Sequence, residues 1–219
     1  MDHFPSSYPV YARSERIADG VMHAAGVAFA LTGAVLLTVF AAIHAGGGLA
    51  VAVGIYGAAL MATFIVSACY HMTPWDRFRP TLRRLDHAAI YLKIAGTYTP
   101  LVALLGSGFA YGVLAVVWLL AVAGAVAKMF FWRDRMRLGL AVYLVLGWLS
   151  VLLIWPLART LPPGATILVA IGGLLYTAGV LFFVWENLRF SNAIWHGFVL
   201  AASGCFFAAI AVGTFAGGA

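Results

Sequence analysis

Leu49 to His71 reads LAVAVGIYGAALMATFIVSACYH, and Met72 to Leu85 reads MTPWDRFRPTLRRL. The first stretch carries no Asp, Glu, Lys or Arg and exceeds the roughly 20 apolar residues that cross a bilayer as a helix. The second brings Arg77, Arg79, Arg83 and Arg84 together between and beyond two prolines. An apolar helix followed by a short basic loop is what a polytopic membrane protein shows on its inner side, and further apolar runs of this length follow along the chain. The 219 residues are 64% hydrophobic and 9% charged, against about 25% charged residues in a soluble domain. Such a chain lacks the polar surface to face water all round.

The apolar runs place seven spans near Val21–Ile43, Leu49–His71, Ala88–Leu105, Tyr111–Phe131, Leu138–Leu157, Ala165–Trp185 and Ala193–Phe215. Gly46-Gly47-Gly48 ends the first, and Pro162-Pro163-Gly164 separates the fifth from the sixth. The fold class is all-α: a seven-transmembrane-helix bundle over residues 21–219, preceded by a cytoplasmic N-terminal segment, residues 1–20. Met1 to Gly20 lacks the short apolar core and small-residue cleavage site of a signal peptide. Cys69 and Cys205 are too few for a disulfide scaffold and read as small apolar core residues.

Charge sets the orientation. With the N-terminus inside, Arg13, Arg16, Arg77, Arg79, Arg83, Arg84, Lys128, Arg133, Arg135, Arg137 and Arg189 fall on the inner side. Only Arg159 falls outside, and Lys93 lies within a span. This bias predicts an inner N-terminus and an outer C-terminus. The net charge of +6 therefore reflects membrane orientation, and nucleic acid is excluded as a partner. Trp75, Trp132, Trp155 and Trp185 sit near span ends, as interfacial aromatics do.

Polar groups at membrane depth are costly, and so point to function. Glu15, Asp19 and His23 lead into the first span. Ser67 and His71 end the second, Asp86 and His87 begin the third, and Asn192 and His196 begin the seventh. Alternating topology puts all these ends at one depth. Ser67 and His71 are four residues apart and share a helix face, as do Asp19 and His23, and Asn192 and His196. Asp86 and Lys93, seven apart, roughly share another. Inward-facing stripes of this kind would bury one another. His87, turned about 100° from Asp86, is expected to face lipid headgroups or another helix. Lys93 is expected to pair with Asp86 or to reach for the inner surface.

Histidines and a carboxylate converging from several helices suit a metal. Zn²⁺ takes imidazole nitrogen and carboxylate oxygen, and a catalytic zinc keeps one position for water, which it activates at neutral pH. A nearby carboxylate can serve as general base, and Ser67 can orient the water or stabilise an oxyanion. The bland alternatives are equally concrete. Asp86 can be a helix N-cap, Ser67 a small packing residue, His71 and His196 interhelical hydrogen-bond partners, and Glu15, Asp19 and His23 a polar helix start.

Ser67-x3-His71, Leu85-Asp86-His87 and Ala95-Gly96-Thr97-Tyr98-Thr99-Pro100 resemble the bacterial hemolysin III family, which is related to the progestin and adipoQ receptors, including the adiponectin receptors. Glu15-x2-Ala18-Asp19-x3-His23 is similar to the family's opening motif, and Asn192-Ala193-Ile194-Trp195-His196 to its closing motif. The match runs from about Glu15 to Phe207. It implies a seven-span fold with an intramembrane zinc near the cytoplasmic face. By resemblance, His71 and His196 are metal ligands, Asp86 partners the bound water, and Ser67 belongs to the same site. Alkaline ceramidases in the wider superfamily suggest hydrolysis of a lipid amide or ester.

The sequence departs from that pattern at three positions. Asp19 stands where the family usually has Asn. Asn192 replaces the usual third histidine, and Phe206 replaces a further histidine of bacterial members. Either Asp86, His23 or His87 serves as the third ligand, or the site holds zinc weakly or not at all. Three functions follow as expectations: a zinc-dependent lipid hydrolase, a non-catalytic receptor or membrane-state sensor whose polar cluster is a clasp, and a pore-forming cytolysin. Membrane lipids are the expected partners, and the bacterial inner membrane the expected location.

Overall fold

Apolar runs this long leave the backbone no partner in lipid but itself, so they fold as helices. The computed structural model describes residues 11–131, 136–185 and 187–217. These form α1 (Arg13–His44), α2 (Gly47–Met72), a 3-10 turn (Asp76–Phe78), α3 (Arg79–Leu105), α4 (Gly108–Phe130), α5 (Met136–Trp148), α6 (Val151–Thr160), α7 (Pro163–Val184) and α8 (Ser191–Gly217). The α5–α6 pair makes one span, so seven helical segments are long and apolar enough to cross a membrane. No strand occurs among the described residues. Trp132, Arg133, Arg135 and residues 1–10 lie outside them.

Local chemistry sets the ends. Gly106, at φ 62°, closes α3 in the left-handed conformation that glycine adopts without strain. Ser107 then caps α4, its Oγ accepting the Ala110 N–H at 3.2 Å. Two helices start earlier than the apolar runs suggest. α1 begins at Arg13, where the Glu15 carboxylate accepts the Ala12 N–H at 2.9 Å. α3 begins at Arg79, with Pro80 in its first turn. Asp86 and His87 therefore lie two turns inside α3, and Asp86 is not its N-cap.

The fifth span is broken rather than continuous. The helix stops at Trp148 and restarts at Val151, and the Tyr98 hydroxyl donates to the carbonyls of Leu146 at 2.8 Å and Gly147 at 3.0 Å. A break inside the bundle exposes carbonyls that need a donor, and the TYTP motif of α3 supplies it.

α3 is the central helix. It packs against α2, α4, α5, α6 and α8, while α1 bridges α2 and α8. Small residues permit this: a Cβ on Gly96 would sit 2.7 Å from the Ala59 Cβ and 3.7 Å from the Tyr56 Cα. Both neighbours belong to the backbone of α2 or are fixed to it, so neither can swing aside. Gly96→Ala is accordingly expected to force α2 and α3 apart and cost about 1–3 kcal/mol, read as a lower Tm in detergent. An unchanged Tm would mean that the two helices do not approach this closely.

The outward faces are apolar, as at Leu36, Leu119 and Leu181. Cys69 is exposed and Cys205 half-buried, so neither is a fully buried core residue. In lipid an outward residue is as apolar as an inward one, and hydrophobicity does not distinguish them. Trp75, Trp155 and Trp185 are exposed, as interfacial aromatics require. Of the Gly172-Gly173 pair, Gly172 faces the Phe206 ring closely, whereas Gly173 faces open space.

Candidate metal centre

One end of the bundle collects the starts of α1 and α8, the end of α2 and the early turns of α3. Helical spacing puts Asp19 and His23 on one face of α1, and Asn192 and His196 on one face of α8. His71 comes from the last turn of α2. Because α1 lies between α2 and α8, these three stripes meet.

Asp19 is the hub, and it is buried. Its Oδ1 accepts from His196 Nδ1 at 2.6 Å, and its Oδ2 accepts from Asn192 Nδ2 at 2.9 Å. His23 Nε2 and His71 Nδ1 lie 3.6 and 3.7 Å from the same Oδ2. The second Asn192 N–H points at His71 Nδ1, 3.1 Å away. The three imidazoles face one another, with ring centroids 5.0 Å apart for His23 and His71, 4.2 Å for His23 and His196, and 4.6 Å for His71 and His196.

This arrangement could hold a metal ion. One ring nitrogen of each histidine lies within 4.8 Å of the other two. Tetrahedral Zn–N bonds of about 2.0–2.1 Å put ligand nitrogens roughly 3.4 Å apart, so a modest closing of the rings suffices. Two further observations fit a cation. His23 Nε2 is buried and has no hydrogen-bond partner among the described residues, although buried polar atoms are normally satisfied. In addition, the Asp19 carboxylate takes the Nδ1 proton of His196. In the neutral ring this leaves the lone pair on Nε2, the tautomer that a carboxylate behind a metal-bound imidazole fixes.

The residues singled out in the sequence divide by place. His71, His196 and His23 come together, with Asn192 among them. Ser67 lies close to the buried Asp86 carboxylate, and Asp86 lies within electrostatic reach of His23 and Asp19. His87 stands apart and does not face lipid. It is buried, its carbonyl accepts the Tyr143 hydroxyl at 2.9 Å, and its Nδ1 has no partner among the described residues. Lys93 neither pairs with Asp86 nor reaches the surface. It is buried, and its Nζ donates to Ser203 Oγ at 2.7 Å. The central role of Asp19 was not legible beforehand. Its spacing to His23 was the available signal, but nothing local said that α8 would donate to it.

A small cavity of about 10 Å³, lined by Glu15, Arg16, Asp19, His71, Phe190 and Asn192, adjoins this cluster. Glu15 fixes its rim. One carboxylate oxygen holds the start of α1, and the other accepts the Phe190 N–H of the α7–α8 turn at 2.9 Å.

The profile described as Haemolysin-III related matches residues 11–207. The chain belongs to that family. It is 35% identical to "Hemolysin-3 homolog" of Bacillus subtilis (strain 168) over 199 residues, 90% of this chain and 93% of the relative. It is 36% identical to "Hemolysin-3" of Bacillus cereus over 88% of this chain and 89% of the relative. A more distant relative is the human "Monocyte to macrophage differentiation factor", 33% identical over 71% of this chain and 67% of the relative. This haemolysin-III-related chain is thus an integral membrane protein whose seven spans bring a histidine–aspartate cluster together at one end.

Proposed function

We propose that this haemolysin-III-related protein is a zinc-dependent lipid hydrolase, with its centre near the cytoplasmic face of the bacterial inner membrane. The observation that carries the reading is the convergence of three imidazoles from three helices around a buried carboxylate. His23, His71 and His196 would hold the ion, so His23 supplies the third imidazole in place of position 192. Bound there, zinc would supply a water made nucleophilic at neutral pH and a Lewis acid for a carbonyl.

The remaining roles fall to the chain itself. Asp19 fixes the tautomer and direction of His196 by accepting its Nδ1 proton. Asp86, held by Ser67, is the general base that takes a proton from the attacking water and passes it to the leaving amine or alcohol. The predicted substrate is an amide- or ester-linked lipid presented from the inner leaflet.

Elemental analysis of the purified protein, paired with fatty-acid release from lipid amides and esters, tests this reading. The expected result is about one zinc per chain and activity lost on chelation. A metal-free protein that hydrolyses nothing after zinc is added back overturns it. Asp19→Asn combined with Asn192→His, which restores the family's usual pair, is expected to tighten zinc binding, measured by chelator competition.

A second reading is favoured by Asn192. Its two N–H groups satisfy Asp19 and His71 together, which lets the cluster serve as a clasp in a receptor or sensor without chemistry. That reading predicts a fall in stability on mutation with no lipid turned over. The names of the Bacillus relatives add cytolysis as a third reading, for which conductance across liposomes containing the pure protein is the test.

A further inference from the structure

Deeper in the bundle a second polar cluster stands apart from the histidines. Asp86 to Lys93 on α3 and His196 to Ser203 on α8 are both steps of seven residues, each about 10 Å along a helix. Both helices therefore place this cluster one level further into the membrane.

Its centre is the Lys93 ammonium, with 6% of the residue exposed. Among the described residues no carboxylate pairs with it. Its hydrogen-bond acceptor is Ser203 Oγ at 2.7 Å, and its Nζ lies 5.0 Å from the ring centres of both Phe64 and Tyr176. The Ser203 hydroxyl donates to the Val199 carbonyl at 2.6 Å, so it can only accept from Tyr176, whose oxygen is 2.8 Å away. Tyr56 is a second buried donor, on α2. It is 1% exposed, and its hydroxyl has no hydrogen-bond partner among the described residues. It also lies within electrostatic range of Tyr176.

Donors outnumber acceptors here. Lys93 offers three N–H groups, and Tyr56 and Tyr176 one O–H each, while the acceptors are the Ser203 oxygen and the two phenol oxygens. A buried ammonium costs several kcal/mol unless an opposite charge compensates it, and aromatic faces return only about 2 kcal/mol. A group that accepts several hydrogen bonds and carries a negative charge satisfies every count at once.

We propose that Lys93 and Tyr56, with Tyr176 and Ser203 beside them, form a binding site for a monovalent anion within the membrane, distinct from the histidine cluster. The anion accepts from the spare Lys93 N–H groups and the Tyr56 O–H. A free halide and the carboxylate of a single-chain amphiphile share this chemistry.

The test uses the full-length protein purified in detergent, with a chelator present to keep metal-bound halide out of the reading. Tm is followed while bromide or decanoate replaces gluconate at constant ionic strength. The expected result is a saturable rise for one probe or both, since a ligand that binds only the folded state stabilises it. A rise with bromide assigns a halide site, and a rise with decanoate alone assigns an amphiphile carboxylate. Lys93→Met is expected to weaken that response at least tenfold, and Tyr56→Phe severalfold. Without anion, Lys93→Met is expected to match or exceed the unchanged protein in Tm, because the uncompensated charge is gone. A response to neither probe, or an equal response in Lys93→Met, overturns the proposal. So does a lower Tm for Lys93→Met in gluconate, which would mean that Ser203 and the two rings already satisfy the lysine. Should Lys93→Met fail to express, Tyr56→Phe decides alone: an undiminished response overturns the site.

Discussion

Protein carrying His23→Ala is expected to purify without zinc, or to bind it more weakly by at least about 100-fold, the upper loss seen when even an outer partner of a ligand is removed. The unchanged protein is expected to hold one ion. Position 192 carries an amide, whose neutral oxygen is a poor substitute for imidazole, so His71 and His196 alone leave the coordination short. His23 is the imidazole that the fold adds. Its ring lies 5.0 Å and 4.2 Å from the other two, and its buried Nε2 has no hydrogen-bond partner among the described residues. Removing it leaves two imidazoles, fewer protein ligands than zinc takes in either structural or catalytic sites. Elemental mass spectrometry and competition with a chromogenic chelator provide the measurement. Full zinc in the variant would transfer the third position to Asp86 and remove the three-imidazole reading.

Asp19→Ala is expected to have the largest effect on stability of any single change at this site, about 2–4 kcal/mol. The carboxylate accepts from His196 and Asn192 at 2.6 and 2.9 Å. Deleting it strands the buried His196 donor and the half-buried Asn192 amide. Asp19→Asn keeps an acceptor for one of them and should cost less. Thermal unfolding of the metal-free forms separates this structural effect from loss of zinc. Equal midpoints for Asp19→Ala and the unchanged protein would show that the carboxylate does not organise α1, α2 and α8. The same pair of variants bears on the clasp reading, which requires the stability loss with no change in any turnover.

Much of this architecture was readable in advance. Runs such as Leu49–His71 must be helical because the bilayer offers their backbones no other partner. The basic loop after His71 marks where one span ends. The Ser67–His71, Asp19–His23 and Asn192–His196 spacings each disclosed a polar face, and these faces do meet. Other features resisted reading for physical reasons. Asp86 resembled a helix start because the arginines before it looked like loop, yet α3 had already begun at Arg79. Cys69 and Cys205 resembled core residues because lipid and core are equally apolar. Lys93 invited pairing with Asp86 on its own helix, but its hydroxyl partner Ser203 lies 110 residues away on α8.

The sequence by itself determined the membrane class, the seven spans and the end of the bundle that holds its polar groups. These follow from local composition and helical period, which act within one segment. Only the tertiary structure decided that His23 joins His71 and His196, that Asp19 lies at their hub, and that Lys93 meets Ser203 and not Asp86. Those pairings depend on how each helix is rotated against its neighbours, which is fixed by contacts among small residues such as Gly96 and Ala59, and hydrophobic pattern carries no record of that angle in lipid.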